Sequence, residues 1–147
     1  MSDLLARIAE ARTINELWRL VPRVECKRLC GRSCGVIMAS QWEVDRVVKF
    51  VRESRPRPCT GPDGITCGYL DGENVCSVHP VRPLVCRMFG AAEGLMCEHG
   101  CESDPLTLEE GMTLLMRAEQ IGGGESAFDP ETVAAVKLAS SLGMIRR

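Results

Sequence analysis

Residues 67–87 read CGYLDGENVCSVHPVRPLVCR, with cysteines at 67, 76 and 86 and an arginine directly behind the last. What these thiols do decides how the middle of the chain folds: they can bind metal, close disulfides, carry out catalysis or simply pack. Nine cysteines in 147 residues is well above the usage of an ordinary cytosolic enzyme. The N-terminus, MSDLLARIAEARTINELWRL, scatters charges through its apolar positions and so lacks the unbroken apolar core of a signal peptide. No stretch reaches the roughly 20 apolar residues that a membrane span requires. The expected location is therefore the cytoplasm, with no membrane partner, and there thiols stay reduced. Complete disulfide pairing of an odd number of cysteines would also strand one of them. Metal ligation is left as the leading use.

A hydrophobic content of 45% in this length suffices for one ordinary core, so residues 1–147 are expected to form a single domain. The cysteine-rich part, 26–101, would be its centre, and 1–25 and 104–147 would supply flanking helices. With two Trp, one Tyr and three Phe, the core is short of the side chains that usually contribute most buried area. A metal centre can make up that deficit in a small domain. Net charge is −2, yet residues 23–57 are rich in Arg and Lys while residues 58–147 carry more acid than base. No aromatic-rich surface motif for stacking bases accompanies the basic block. The block reads as a solvated helix face with a few arginines neutralising thiolates rather than as a nucleic-acid surface.

Apolar residues at Leu4, Leu5, Ile8, Leu17, Trp18 and Val21, with a capping box from Thr13 to Glu16, predict one broken helix or two short ones ending before Pro22. Val36, Ile37 and Met38 suit a short strand. Ser40 and Glu43 then open a helix with Val44, Val47, Val48 and Val51 on one face, stopped by Pro56 and Pro58. Around Asp71-Gly72, the runs ITCGYL and NVCSVH resemble the arms of a hairpin. Asp104-Pro105 and Asp129-Pro130 each place a capping side chain ahead of a first-turn proline, predicting two further helices separated by Gly122, Gly123 and Gly124. The expected fold class is thus α+β, mainly α, with a loop-and-hairpin core tied by metal and helices packed around it.

The cysteines fall into groups: Cys26, Cys30 and Cys34; then Cys59, Cys67, Cys76 and Cys86 at widening intervals; then Cys97 and Cys101. Close cysteines on short loops let two thiolates reach one centre without strain. Zinc ribbons use paired CxxC knuckles, which these three-residue spacings fit poorly, whereas iron–sulfur clusters tolerate more varied spacing. Cys59 lacks a close partner and reads equally well as a small buried hydrophobe. His99 sits in a loop facing solvent and His79 is expected to pack. No Ser-His-Asp order, GxGxxG, Walker loop or HExxH is present.

The stretch from Cys67 to Phe89 resembles the signature of the YkgJ, or CxxCxxCC, family of zinc- or iron-chelating proteins, in which C-x-x-L is followed by C-x-I-Y-x-x-R-P-x-x-C-R-x-F. Cys67, Leu70, Cys76, Val78, Arg82, Pro83, Cys86, Arg87 and Phe89 stand at matching positions, and Cys30-Gly31-Arg32-Ser33-Cys34 resembles the family's C-G-x-C-C. Ser33 stands where the family has a cysteine, Cys26 lies one residue further upstream than the pattern, and His79 replaces the usual aromatic. The resemblance implies metal chelation by an iron–sulfur cluster, with zinc as the alternative. Its expected ligands are drawn from Cys26, Cys30, Cys34, Cys67, Cys76, Cys86, Cys97 and Cys101. Arg82 is expected to hold the signature loop through backbone carbonyls, and Arg87, next to a ligand, to tune the cofactor. Electron transfer or redox sensing with a protein redox partner is the leading expectation. The rivals are a zinc-stabilised interaction module and a metal-dependent component of an enzyme such as a protein methyltransferase.

Overall fold

The computed structural model describes residues 2–29, 31, 34–35, 37–54, 66–101 and 103–124. Cys30, Cys59 and the helix expected after Asp129-Pro130 lie outside them. Two short helices open the chain, α1 (Asp3–Glu10) and α2 (Ile14–Leu20). Thr13 and Glu16 form the expected capping box: Thr13 Oγ1 accepts from Glu16 N–H at 3.2 Å, and Glu16 Oε2 accepts from Thr13 N–H at 3.1 Å and Arg12 N–H at 2.7 Å. Those backbone donors, that of Arg12 foremost, hold the Glu16 carboxyl below its ordinary pKa.

Helix α3 (Gln41–Ser54) follows, then a 3-10 turn at His79–Val81, the single-turn helix α4 (Leu84–Arg87) and the long α5 (Leu108–Gly122). Helix α5 packs against α1, α2, α3 and α4. Ile8, Ile14, Leu17, Leu84 and Leu114 are each at most 2% exposed, so the two flanking segments meet in one core with α4 locked between them. Arg117 ties the same seam: its Nε and Nη2 donate to Ala11 O at 3.2 and 2.8 Å, capping the end of α1 from α5.

A second, smaller cluster joins Val47 and Val51 of α3 to Val78 and Val81 of the 3-10 turn. The four valines expected on one face of α3 therefore divide. Val47 and Val51 are buried, whereas Val44 is 41% exposed and Val48 half-buried.

Among the described residues the chain is mainly helical. Its extended structure is confined to two isolated bridges, Leu70 with Cys76 (antiparallel) and Ala92 with Leu106 (parallel). The hairpin expected around Asp71-Gly72 is thus reduced to a single bridge and its turn. Ile37 and Met38 belong to no strand and are 39% and 44% exposed. Helix α5 starts three residues later than Asp104-Pro105 predicts. Thr107 is its N-cap, in a capping box with Glu110, because Leu106 is still extended and pairs with Ala91 and Glu93 through backbone hydrogen bonds of 2.8 and 2.9 Å. Among the described residues no helix is long and apolar enough to cross a membrane.

Candidate metal centre

Local backbone chemistry gathers the thiols. Cys67 N–H donates to Cys34 O at 3.1 Å, and Cys34 N–H to Gly31 O at 3.1 Å, laying the first cysteine group along the second. Gly31 is needed there: a Cβ would overlap the backbone and Cβ of Asn74. The turn carrying Asn74 is set by Asp71, whose Oδ1 accepts from Glu73 N–H and Val75 N–H, both at 2.9 Å, as Asx turns do. Asp71 N–H to Val75 O (2.9 Å) and Ser77 N–H to Tyr69 O (2.8 Å) then close the loop that separates Cys67 from Cys76.

Cys86 sits on α4, and α4 is anchored by a residue whose importance the sequence conceals. Glu43 is 2% exposed. Its Oε2 accepts from Ser40 N–H (3.0 Å) and Ser40 Oγ–H (2.9 Å), the capping half that the sequence predicts. Its Oε1 accepts from Trp18 Nε1–H at 3.2 Å and from Leu84 N–H at 2.6 Å, so one carboxylate joins α2, α3 and the start of α4.

The last pair of cysteines is brought in by Gly90, at φ +80, where a Cβ would stand 2.7 Å from Cys101 O. Lys27 completes that junction, its N–H reaching Cys101 Sγ at 3.4 Å and its Nζ donating to His99 O at 3.3 Å. Beside it Arg28 adopts φ +59, outside the usual range for a side-chain-bearing residue, and directs its N–H to Cys26 Sγ at 3.4 Å.

Seven of the eight sequence-predicted ligands, Cys26, Cys34, Cys67, Cys76, Cys86, Cys97 and Cys101, line one cavity of about 470 Å³. None of the seven is in a disulfide. They occupy two electrostatic settings. Burial pushes the Cys86 thiol up to about 12, with Cys34, Cys76 and Cys67 adding to the effect, and burial followed by Cys67 raises Cys76 as well. Cys97 is lowered instead, chiefly by hydrogen bonding from the backbone of Cys101 and then of His99. Cys34, Cys67 and Cys76 thus oppose the ionisation of Cys86, an opposition that a cation bonded to sulfur would relieve.

As placed, no three His, Cys, Asp or Glu side chains among the described residues converge on a single ion position. The donor chemistry fits a thiophilic metal; the sulfurs stand around a space rather than at a point.

The two signature arginines take different positions from those expected. Arg87 holds the loop: its Nε donates to Arg82 O at 2.9 Å, its Nη2 to Pro80 O at 3.1 Å, and its guanidinium lies 3.9 Å from the centroid of the Trp18 ring. Arg82 lines the cavity beside the thiols, and its Nε is buried without a hydrogen-bond partner. Trp18 and Trp42 meet edge to face at 5.8 Å, with Arg46 over both rings at 5.0 and 5.2 Å, so the aromatic pair buttresses the outside of α4. His79 and His99 were not expected to serve as ligands; His79 lines the cavity, and His99 pairs with Glu98 at 3.4 Å.

The chain matches no family model, no curated protein and no solved structure.

Proposed function

We propose that the chain is a cytoplasmic iron–sulfur protein, similar to the YkgJ-like chelating domains, that transfers electrons or senses redox state. The observation that supports this best is the meeting of seven cysteines, none of them in a disulfide, around one cavity. Cys34, Cys67, Cys76 and Cys86 are the primary ligand set, because the first three act electrostatically on Cys86. Cys26, Cys97 and Cys101, with Cys30 from the same sequence group, are a second set that takes another centre or serves as redox partners. Sulfurs distributed around a space suit a cluster, in which each iron takes its own thiolate, whereas a zinc tetrahedron requires four of them to close onto one ion.

A bound cluster would supply a one-electron couple, since iron held by thiolates changes oxidation state with little ligand movement. The protein's part is to hold the thiols, limit water and place positive charge nearby. Arg82 and Arg28 supply that charge beside Cys76. A protein redox partner would deliver or remove the electron.

Anaerobic purification followed by visible absorption and by iron, sulfide and zinc analysis tests the proposal. The expected outcome is a coloured protein with iron and acid-labile sulfide in equal amounts. A colourless protein with stoichiometric zinc and no sulfide contradicts it. Cys76→Ser and Cys86→Ser are expected to lose metal and destabilise the fold, and Cys59→Ser to do neither.

A further inference from the structure

Thiols account for only part of the cavity. Part of its wall is apolar, built by Val44 and Val48 of α3 together with Ile37 and Met96. Val44, Ile37 and Met96 are 41%, 39% and 48% exposed, so this wall is an open apolar mouth and not part of either core. The same cavity is lined by three groups that are basic or can be: Arg28, His79 and Arg82. Arg82 and Arg28 both act on His79, which places the three within one field. Two of their polar atoms, Arg82 Nε and His79 Nε2, are buried and have no hydrogen-bond partner. A buried donor left unpaired costs roughly 1–3 kcal/mol, more when it is charged. Among the described residues the one carboxylate on the cavity is Glu98, and it turns to His99. Thiolates would use some of this positive charge, but they do not explain an apolar wall in the same cavity.

We infer that the cavity binds a small organic anion with an apolar body, a monocarboxylate whose headgroup meets Arg82, Arg28 and His79 while its chain lies along Val44, Val48 and Met96. A carboxylate offers lone pairs to the guanidinium groups of Arg82 and Arg28 on the cavity, charge-assisted bonds that a neutral headgroup does not form. The volume, about 470 Å³, falls in the range of small-molecule sites and leaves room beyond a metal centre. Bound there, the molecule would lie between the thiols and solvent, as a substrate or as a ligand that regulates access to the centre. The inference rests on the proposed function only for what fills the thiol-lined side.

Isothermal titration of the anaerobically purified protein with octanoate, octan-1-ol and octylamine tests it, with iron and sulfide counted on the same samples. Octanoate is expected to bind at least about tenfold more tightly than octan-1-ol, as one charge-assisted hydrogen bond predicts, and octylamine to bind least. Arg82→Gln is expected to erase the preference for octanoate while octan-1-ol still binds. Should that variant fail to fold, Arg28→Gln, at an exposed position, is expected to reduce the preference severalfold. Val48→Trp, which fills the apolar side, is expected to weaken octanoate and octan-1-ol alike. Equal affinity for octanoate and octan-1-ol, or no binding of octanoate at millimolar concentration, overturns the inference. Iron-free protein that binds octanoate removes the cluster and leaves the pocket; iron-loaded protein indifferent to octanoate removes the pocket alone.

Discussion

Replacing Glu43 by Gln changes one oxygen to an NH2 group and almost nothing in volume, which isolates the role of this buried side chain. The native carboxylate accepts four hydrogen bonds, from Trp18 Nε1, Leu84 N, Ser40 N and Ser40 Oγ. Gln is best placed with its remaining oxygen on Trp18 and Leu84. Its NH2 then faces the Ser40 N–H, donor against donor, while the Ser40 hydroxyl can rotate and accept. One backbone donor is left unpaired in a site that water does not reach, and the remaining bonds lose their ionic character, for a combined cost of about 2–3 kcal/mol. Glu43→Ala removes all four bonds and opens a void, costing about 4 kcal/mol. In urea denaturation followed by tryptophan fluorescence, a loss of 2 kcal/mol lowers the midpoint by about 1 M for a slope near 2 kcal/mol per M. Because Leu84 N–H begins the helix that carries Cys86, metal retention is expected to fall in the same order: wild type, Gln, Ala. A Gln variant within 0.5 kcal/mol of wild type, or an Ala variant with full metal content, refutes the argument that this carboxylate positions α4.

Other outcomes follow from the same geometry. In metal-free protein, iodoacetamide is expected to modify Cys97 first and Cys86 last, because at pH 8 a thiol near 12 is ionised in roughly one molecule in 10⁴; peptide mass spectrometry reads the order. Cys86 binds its proton more tightly folded than unfolded, so metal-free protein is expected to lose stability as pH rises from the ordinary thiol value of 9.0 toward about 12, measurable as a falling thermal midpoint. Arg87→Lys keeps the charge but cannot bridge Pro80 O and Arg82 O while lying on Trp18; it should cost about 1–2 kcal/mol in denaturant titration. Gly90→Ala forces a Cβ toward Cys101 O at positive φ, and about 1–3 kcal/mol is expected to be lost, with Cys97 and Cys101 becoming more reactive.

Local signals in the sequence carried through where the chemistry is short-range. The Thr13–Glu16 box and the Ser40 contact of Glu43 involve residues three apart, and the tight turn at Asp71-Gly72 needs only its own side chain. What escaped reading depends on distant partners. Asp104-Pro105 is a sound helix start in isolation, but the bridge from Leu106 to Ala92 keeps that residue extended and moves the cap to Thr107. Nothing adjacent to Glu43 announces that its second oxygen will meet Trp18 and Leu84. The two signature arginines are chemically alike in sequence; Trp18 and the carbonyls of Pro80 and Arg82 draw Arg87 away from the thiols and leave Arg82 on the cavity. The valine stripe of α3 was legible as apolar, yet period alone does not tell a face that meets a core from one that meets a cavity.

Differential alkylation tests the shared thiol site most directly. Protein purified anaerobically is treated with a light reagent, then stripped of metal, unfolded and treated with a heavy one, and each cysteine is scored by mass spectrometry. Cys34, Cys67, Cys76 and Cys86 are expected to carry the heavy label together and to exchange it for the light label when metal is removed before the first step. If these four take the light label independently of one another, or irrespective of metal, they do not share a centre.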